Sequence, residues 1–391
     1  MIVNGKRSLA HVEKVAWLRP IEGTDNIELI GVLGWTCICK SKEFREGDLC
    51  VFIEIDSKVP QKQWCEFLRE DNFEIKTKKL PNSNIISQGL ALPVDIFDIE
   101  IPKKEGSDVT ELLDIKYSNP EKDLSCENES PSQNQKELFD SPMEKGLMKR
   151  RWGKSIMSSF FGVNEEKSKD FPTKFANISN NYIEYCENIP DILNDKTPYI
   201  RTQKCDGICA TYILEKANSK TFNSGYEFYV CSRNHRIFEE DNPYWEMADQ
   251  YDIEEKLIHY LENHKDCDYV CWQGEICGPE IKNNPHKLED NELFCFNMVD
   301  SNGKFDIREA QIIWDEYDME SVPIDFKTYI LPDDFEEFKL SADKNYDPTV
   351  CDGQTGCEME GWVYYKTTDS SFSFKNISRR YLLKIEDQDE N

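Results

Sequence analysis

Nowhere does this sequence hold an apolar run of membrane-spanning length, and no signal-type apolar stretch follows Met1-Ile2-Val3-Asn4-Gly5-Lys6-Arg7. A soluble, intracellular protein, cytoplasmic or nuclear and without a membrane partner, is therefore expected. Histidine is scarce: His11, His235, His259, His264 and His286 form no H-x-x-x-H pair and no Cys/His set. Histidine acid–base catalysis and a serine triad thus lack support. No G-x-x-x-x-G-K-[ST] loop occurs, which excludes a P-loop ATPase by motif. The fifteen cysteines include no C-x-x-C pair and no C-x2-4-C followed at zinc-finger spacing by H-x3-5-H, and their number is odd. Reduced, buried thiols fit that pattern better than a disulfide scaffold or a structural zinc site.

Positive charge is also short. The formal net charge is −28, divided as −4 over residues 1–117, −1 over 118–170 and −23 over 171–391. Affinity for nucleic acid comes largely from Lys and Arg. Either a local basic groove interrupts an acidic surface, or the chain has no nucleic-acid substrate. Charge alone leaves both readings open.

A length of 391 residues accommodates two domains, each with its own core. Short β-rich runs at 11–18, 27–33, 36–39 and 49–55 are separated by turn residues around Pro20–Asn26, at Gly34 and at Glu46-Gly47-Asp48. Closely spaced strands in so short a stretch predict a small barrel, of which the OB-fold is the commonest that meets nucleic acid. Residues 109–113 are expected to form a short closing helix. From 118 to 149 the chain is polar, contains Pro and is poor in β-branched residues, and 118–170 is read as a flexible linker or insertion. The cluster Lys149-Arg150-Arg151-Trp152-Gly153-Lys154 is read first as a solvated charge run, with RNA contact or nuclear targeting as the alternative.

Beyond residue 171 the spacing predicts strands at 199–204 and 208–214, with Asp206-Gly207 as the turn between them, and at 269–274, 293–299, 361–366 and 381–385. Apolar residues at helical spacing predict one helix over 245–261. Strands with few helices and no β-α-β alternation give an α+β class: an N-terminal OB-fold barrel, then antiparallel sheets with flanking helices over 171–391. No internal repeat is visible.

Six short elements follow in order: Lys204-Cys205-Asp206-Gly207, Ser232-Arg233-Asn234, Gln273-Gly274-Glu275, Leu293-Phe294-Cys295-Phe296, Glu360-Gly361 and Phe374-Lys375-Asn376. Taken singly each is weak; a K-x-D-G by itself is more often an exposed hairpin turn. Together they resemble the collinear motifs of the covalent nucleotidyltransferases, which implies transfer of a nucleotide to a lysine amine. Lys204 is the candidate nucleophile, a role that needs the uncharged amine, favoured by burial or by nearby positive charge. Asp206 and Glu360 are candidate carboxylates for a divalent metal, which needs only one or two. Gly207 permits close approach. Glu275 could accept from ribose hydroxyls, and Arg233, with Asn234 beside it, could clamp a phosphate. Phe294 and Phe296 should project from one strand face, toward core or nucleobase. Lys375 could neutralise charge on a phosphate, and Lys384 is a second basic candidate.

The ordered set resembles the covalent nucleotidyltransferases, the ligases and capping enzymes. More narrowly, the chain is similar to the Deinococcus-type ATP-dependent RNA ligases, the fifth RNA ligase family, which carry their OB domain first. The resemblance runs through Ile21–Glu28, Gly34-Trp35, Glu43-Phe44-x2-Gly47-Asp48 and Glu54-Ile55-Asp56-Ser57-x2-Pro60. It continues in Val230–Asn234, Gln273-Gly274-Glu275-x2-Gly278-Pro279-x-Ile281-x2-Asn284 and Ser373-Phe374-Lys375-x-Ile377-Ser378-x2-Tyr381-Leu382-Leu383-Lys384. It implies ATP and Mg²⁺ or Mn²⁺ as cofactors, an adenylate carried on Lys204, and sealing of 3′-hydroxyl/5′-phosphate nicks in duplex RNA or an RNA/DNA hybrid by a monomer. Glu275 would then hold ribose, Phe296 would stack on adenine, and Arg233, Lys375 and Lys384 would meet phosphates. Gln203 stands where the family usually has Glu, the position that meets the adenine amino group. Ile178–Cys186 departs from the family's Thr-Asp-Glu-Glu-Arg element. Two other readings remain: an RNA-binding protein of the same fold without turnover, and AMP transfer to a protein or metabolite.

Overall fold

The computed structural model describes residues 1–3, 6–81, 83–118, 170–179, 183–189, 191–217, 225–238, 241–279 and 281–389. The polar segment expected over 118–170 and its Lys149–Lys154 cluster lie outside the described residues, apart from Ser118 and Asp170. No helix among the described residues is long and apolar enough to cross a membrane.

The N-terminal part is an antiparallel five-stranded sheet in the order Leu90–Pro93, Leu49–Ile53, Ala10–Pro20, Ile27–Val32, Trp35–Lys40. Its longest strand serves two neighbours. Ala10 to Lys14 pair with Leu49–Ile53, while Val15 to Pro20 pair with Ile27–Val32. A register shift between Val15 and Trp17 separates the two halves, and such a bulge bends and twists the strand. The sheet thereby curls into a half-barrel, and the strand Ile86–Gln88 of a separate hairpin meets its Trp35–Lys40 edge, where the Ile38 amide donates to Ser87 Oγ at 3.0 Å. Trp17 lies against Gly31, where a Cβ would fall 2.1 Å from the indole nitrogen. The closing helix expected over 109–113 is a single hydrogen-bonded turn, Leu113 N to Val109 O at 3.0 Å.

Residues 183–389 form two larger sheets. One is ordered Glu184–Tyr185, Asp369–Ile377, Gly361–Lys366, Tyr199–Lys204, Ile324–Tyr329. The other is ordered Arg236–Ile237, Tyr226–Cys231, Ile208–Lys216, Tyr269–Cys277, Glu292–Asp300, Gly303–Lys304. Every pairing is antiparallel except that of Glu184–Tyr185 with Asp369–Ile377. Alternation along the strand that ends in Lys204 feeds two cores. Ile200 joins Val363, Tyr212 and Trp272 with the helices Ile253–Asn263 and Ile307–Glu316, whereas Tyr199 joins Tyr364, Phe374 and Phe338.

Three expectations need correction. The chain does not turn back at Asp206-Gly207 as a hairpin; it crosses there from one sheet to the other, and Asp206 is only 8% exposed. The helix expected over 245–261 is two, Pro243–Gln250 and Ile253–Asn263, broken where Asp252 adopts φ +48°. The strand expected at 381–385 is part of the helix Arg379–Asp389. A four-residue apolar run cannot by itself separate strand from helix. Here Ser378 decides, its Oγ accepting from the Tyr381 amide at 3.1 Å and its carbonyl from the Leu382 amide at 3.1 Å.

The two parts are seated on each other by residues of the N-terminal sheet. The Gly34 amide donates to Glu187 O at 2.8 Å, and a Cβ on Gly34 would fall 2.8 Å from Glu187 Cα. Trp35 Nε1 donates to Asn188 Oδ1 at 2.6 Å. Tyr185 and Ile377 complete the apolar cluster around Trp35 and Phe52. Burying a side chain such as Ile377 stabilises by roughly 1.5–3 kcal/mol, so this contact ties the parts firmly. Glu187 also forms a buried ion pair with Lys339 on the helix Phe335–Leu340.

Candidate functional site

Lys204 ends its strand on the face that also carries Ile200 and Thr202. Antiparallel pairing sets it opposite Gly361, which brings the preceding Glu360 to 2.8 Å, Oε2 to Nζ. Gly361 has no room for a side chain, since a Cβ would fall 2.3 Å from the Asn376 carbonyl. Gly207 is similarly confined, since a Cβ there would fall 2.1 Å from Ile276 O, and its backbone is outside the left-handed region. Its role is therefore close packing against the neighbouring strand. The Gly207 amide donates to Glu275 Oε1 at 3.1 Å, fixing that carboxylate behind the lysine loop.

One pocket gathers Gln203, Lys204, Arg233, Glu275, Phe296 and Lys375, so residues of both sheets line it. Phe294 is buried in the core while Phe296, two residues on and half-buried, reaches the pocket. Gln203 Oε1 accepts from the Asp347 amide at 2.8 Å. The N-terminal part supplies further wall: Ile2, Arg7 and Tyr117. Arg7 lies between the rings of Tyr117 and Tyr185, 5.2 and 5.1 Å from their centroids, and pairs with Glu54 at 3.3 Å and Asp56 at 3.4 Å. Lys375 Nζ sits 3.8 Å from the Tyr185 ring centroid.

Charge in this enclosure follows from who faces whom. Burial opposes a charge on Lys204, but the Glu360 and Glu275 carboxylates outweigh it and hold its pKa above the ordinary lysine value. The uncharged amine expected from the sequence is thus not the state favoured without ligand. Burial raises the pKa of both Glu275 and Glu360, against the pull of Lys204. For Lys375 burial dominates, reinforced by the charges of Arg7 and Lys204, and its pKa falls to about 7. Asp206 is held below the usual carboxylate range: burial opposes this, but Lys282 and the Tyr381 hydroxyl prevail.

Other expected residues are placed differently. Asp206 lies behind the pocket wall, with Oδ1 accepting from Lys282 Nζ at 3.1 Å and Oδ2 from the Tyr381 hydroxyl. Its amide donates to His286 Nε2 at 3.1 Å, so the His286 Nδ1–H donates to Val350 O at 2.9 Å. Asn234 is exposed in the turn after its strand, its carbonyl accepting from the Phe171 amide at 3.1 Å. Lys384 is 52% exposed on the Arg379–Asp389 helix, 3.2 Å from Glu358, and outside the pocket. Its displacement follows from the helix that replaces the expected strand.

Sequence reasoning missed Lys282, Tyr381, Arg7, Tyr117 and Tyr185 as parts of the site. Lys282 falls inside the quoted Gly278–Asn284 block, but its aim depends on successive left-handed residues, Lys282, Asn283 and Asn284 at φ +46°, +59° and +52°. Ile183, Glu184 and Tyr185, from the stretch that departs from the expected element, also line the pocket, while 180–182 are outside the described residues.

Could these residues hold a divalent ion? Glu360 and Glu275 offer hard oxygen donors beside the pocket, and a magnesium-type ion needs one or two carboxylates plus water. Among the described residues no group of three or more His, Cys, Asp and Glu side chains is set for a metal. The donor set fits a water-rich ion of that kind better than a fully protein-ligated one. The described cysteines are all free and buried.

Comparison with known proteins adds the following. Residues 197–385 match the RNA ligase family, and residues 9–94 match an OB-fold domain. Among solved structures, a lysine-to-methionine mutant of Naegleria gruberi RNA ligase with AMP and Mn is 26% identical, with a TM-score of 0.73 over 97% of this chain and 100% of that one. The Naegleria gruberi RNA ligase with PPi is 25% identical, with a TM-score of 0.73 over 98% of this chain and 100% of that one. A search of curated proteins finds no match.

Proposed function

We propose, on the premise that this chain belongs to the RNA ligases through residues 197–385 and is a ligase enzyme, that it seals 3′-hydroxyl/5′-phosphate nicks in RNA by way of an adenylate on Lys204. The observation that carries this reading is the enclosed Lys204 amine, 2.8 Å from Glu360 and in one pocket with Glu275, Phe296, Arg233 and Lys375. The structures of the Naegleria ligase with AMP and Mn, and with PPi, support a nucleotide and a divalent metal here.

In the first step Lys204, charged without ligand, loses a proton, its nitrogen lone pair attacks the α-phosphorus of ATP, the bond to the pyrophosphate oxygen breaks, and a second proton leaves the nitrogen. Without ligand Glu360 holds the Lys204 ammonium at 2.8 Å, and a cation taken up by that carboxylate would remove the pull that keeps the amine charged. A divalent ion at Glu360, Mg²⁺ or Mn²⁺, would supply charge neutralisation for the phosphates. Arg233 and Lys375 bind phosphate oxygens, Glu275 accepts from ribose hydroxyls, and Phe296 stacks on the base. Gln203 meets the base edge, held by Asp347. AMP then passes to the RNA 5′-phosphate, and attack by the 3′-hydroxyl releases it.

The test is incubation with α-labelled ATP and Mg²⁺. Covalent label that Lys204→Ala abolishes, followed by sealing of nicked duplex RNA, supports the proposal; label that survives the substitution removes it. Labelling without sealing of any RNA or RNA/DNA nick would point instead to AMP transfer to another acceptor.

A further inference from the structure

Away from the Lys204 pocket, an open cleft runs between the C-terminal helix and the N-terminal part, lined by Lys79, Asn345, Glu358, Arg380, Leu383 and Lys384 among others. Lys79 ends the exposed edge of the Thr77–Lys79 strand. Arg380 and Lys384 stand four apart on the Arg379–Asp389 helix and so share a face. Glu358 lies between those two, 2.9 Å from Arg380 Nε and 3.2 Å from Lys384 Nζ. One carboxylate against three cations leaves the cleft positive, in a chain of net charge −28. A neighbouring depression shares Lys79 and continues over Ser83 and Asn84, which add neutral hydrogen-bonding groups.

The cleft is coupled by adjacent residues to the lysine loop. Tyr381, next to Arg380, holds the Asp206 carboxylate. Tyr346, next to Asn345, donates to the Lys204 carbonyl at 2.8 Å. Glu358 precedes Glu360 by two positions, and its bridge to Asn345 joins the two cleft walls.

We propose that this cleft is a track for the sugar–phosphate backbone of the RNA whose broken end is presented at Lys204. The inference rests on the ligase reading and deepens it by naming where the substrate lies. Phosphates spaced along a strand match cations that come from a strand of one part and a helix of the other, with Lys79 exposed and Arg380 and Lys384 keeping about half their surface in water. It also moves Lys384 from the nucleotide, where the family resemblance put it, to the nucleic acid. The basic groove that a chain this acidic requires is then built from both parts at once, and assembles only when they are seated together.

The test compares the full chain with the Lys79→Glu/Arg380→Glu variant on nicked duplex RNA at several salt concentrations, with self-adenylation measured in parallel. Adenylation should stay within about twofold, affinity for RNA should fall at least tenfold at low salt, and the slope of log K against log [salt] should drop by about 2, one for each cation withdrawn from a phosphate. If the double variant misfolds, Lys79→Gln alone should lower the slope by about 1. Unchanged RNA affinity and slope in a folded variant would overturn the proposal, as would loss of adenylation with RNA binding intact. If the unaltered protein adenylates but binds only an acidic protein and no RNA, the track is also wrong. Failure of the unaltered protein to adenylate at all would instead sink the ligase reading.

Discussion

Tyr381 hydrogen-bonds through its hydroxyl to the Asp206 carboxylate across 175 positions of sequence, joining the last helix to the lysine loop. Asp206 is 8% exposed and Tyr381 6% exposed, so neither partner has water to fall back on. Leaving one member of such a pair unsatisfied costs about 1–3 kcal/mol. Tyr381→Phe should therefore lower unfolding stability by about that amount and slow self-adenylation. Denaturant unfolding at neutral pH measures the first effect, and a normal midpoint would show that Lys282 alone suffices for Asp206.

The Lys204–Glu360 contact favours the charged form of the proposed nucleophile. Because Glu360 helps hold the Lys204 pKa up against burial, Glu360→Gln should make the amine titrate lower. The pH dependence of Lys204 modification by an amine-selective reagent, followed by peptide mass spectrometry, reads this directly. Expected is a shift of the profile to lower pH together with a large loss of adenylation. A profile that stays in place would mean that Glu275 sets the charge.

Lys375 gives a pH dependence of opposite character. Its pKa is depressed to about 7 by burial, then by Arg7 and Lys204, below the unfolded lysine value of about 10.4. Between those values the unfolded chain holds a proton that the folded one lacks, so this residue makes stability rise with pH from about 7 upward. Below about 7 the cost of burying the charge is fully present. A phosphate placed beside Lys375 favours its charged form, so nucleotide binding should draw in up to about one proton near pH 8. Calorimetry in buffers of different ionisation enthalpy measures the uptake. Lys375→Met should abolish it and flatten the rise in stability over the same window.

At Gln203 the prediction concerns choice of base. The side chain accepts from the Asp347 amide, which a carboxylate would do as well, so Gln203→Glu should change stability by no more than about 0.5 kcal/mol. A carboxylate can only accept, and the adenine amino group donates, whereas an amide can also donate to a guanine carbonyl. The substitution should therefore raise the ratio of ATP to GTP use in self-adenylation several-fold. An unchanged ratio would place Gln203 off the base edge.

Much of this architecture was legible in the sequence because strand alternation is local. Buried Trp35, Cys37 and Cys39 with less buried Thr36 and Ile38 between them show the two-residue period plainly. Five of the six ordered elements likewise meet in one pocket, through Lys204, Arg233, Glu275, Phe296 and Lys375, and the sixth sets Glu360 against Lys204. What escaped was long-range or conformational. Arg7 and Tyr117 reach the pocket only because Gly34 and Trp35 seat the N-terminal sheet on Glu187 and Asn188. No periodicity reports such a contact. Lys282 is aimed by a run of left-handed backbone, and Lys384 is carried off by a helix whose apolar residues are too few to reveal their period.

The crossing at Cys205-Asp206-Gly207 has a mechanical consequence. Lys204 and Lys375 belong to one sheet, and Glu275 and Phe296 to the other. An adenylate bound as proposed would therefore bolt the halves together, gripped by Gln203, Lys204 and Lys375 from one side and by Arg233, Glu275 and Phe296 from the other. Slippage between the two slabs would change the reach of the amine without breaking a strand, so the occupied enzyme should be stiffer across this seam and slower to exchange its flanking amides than the empty one.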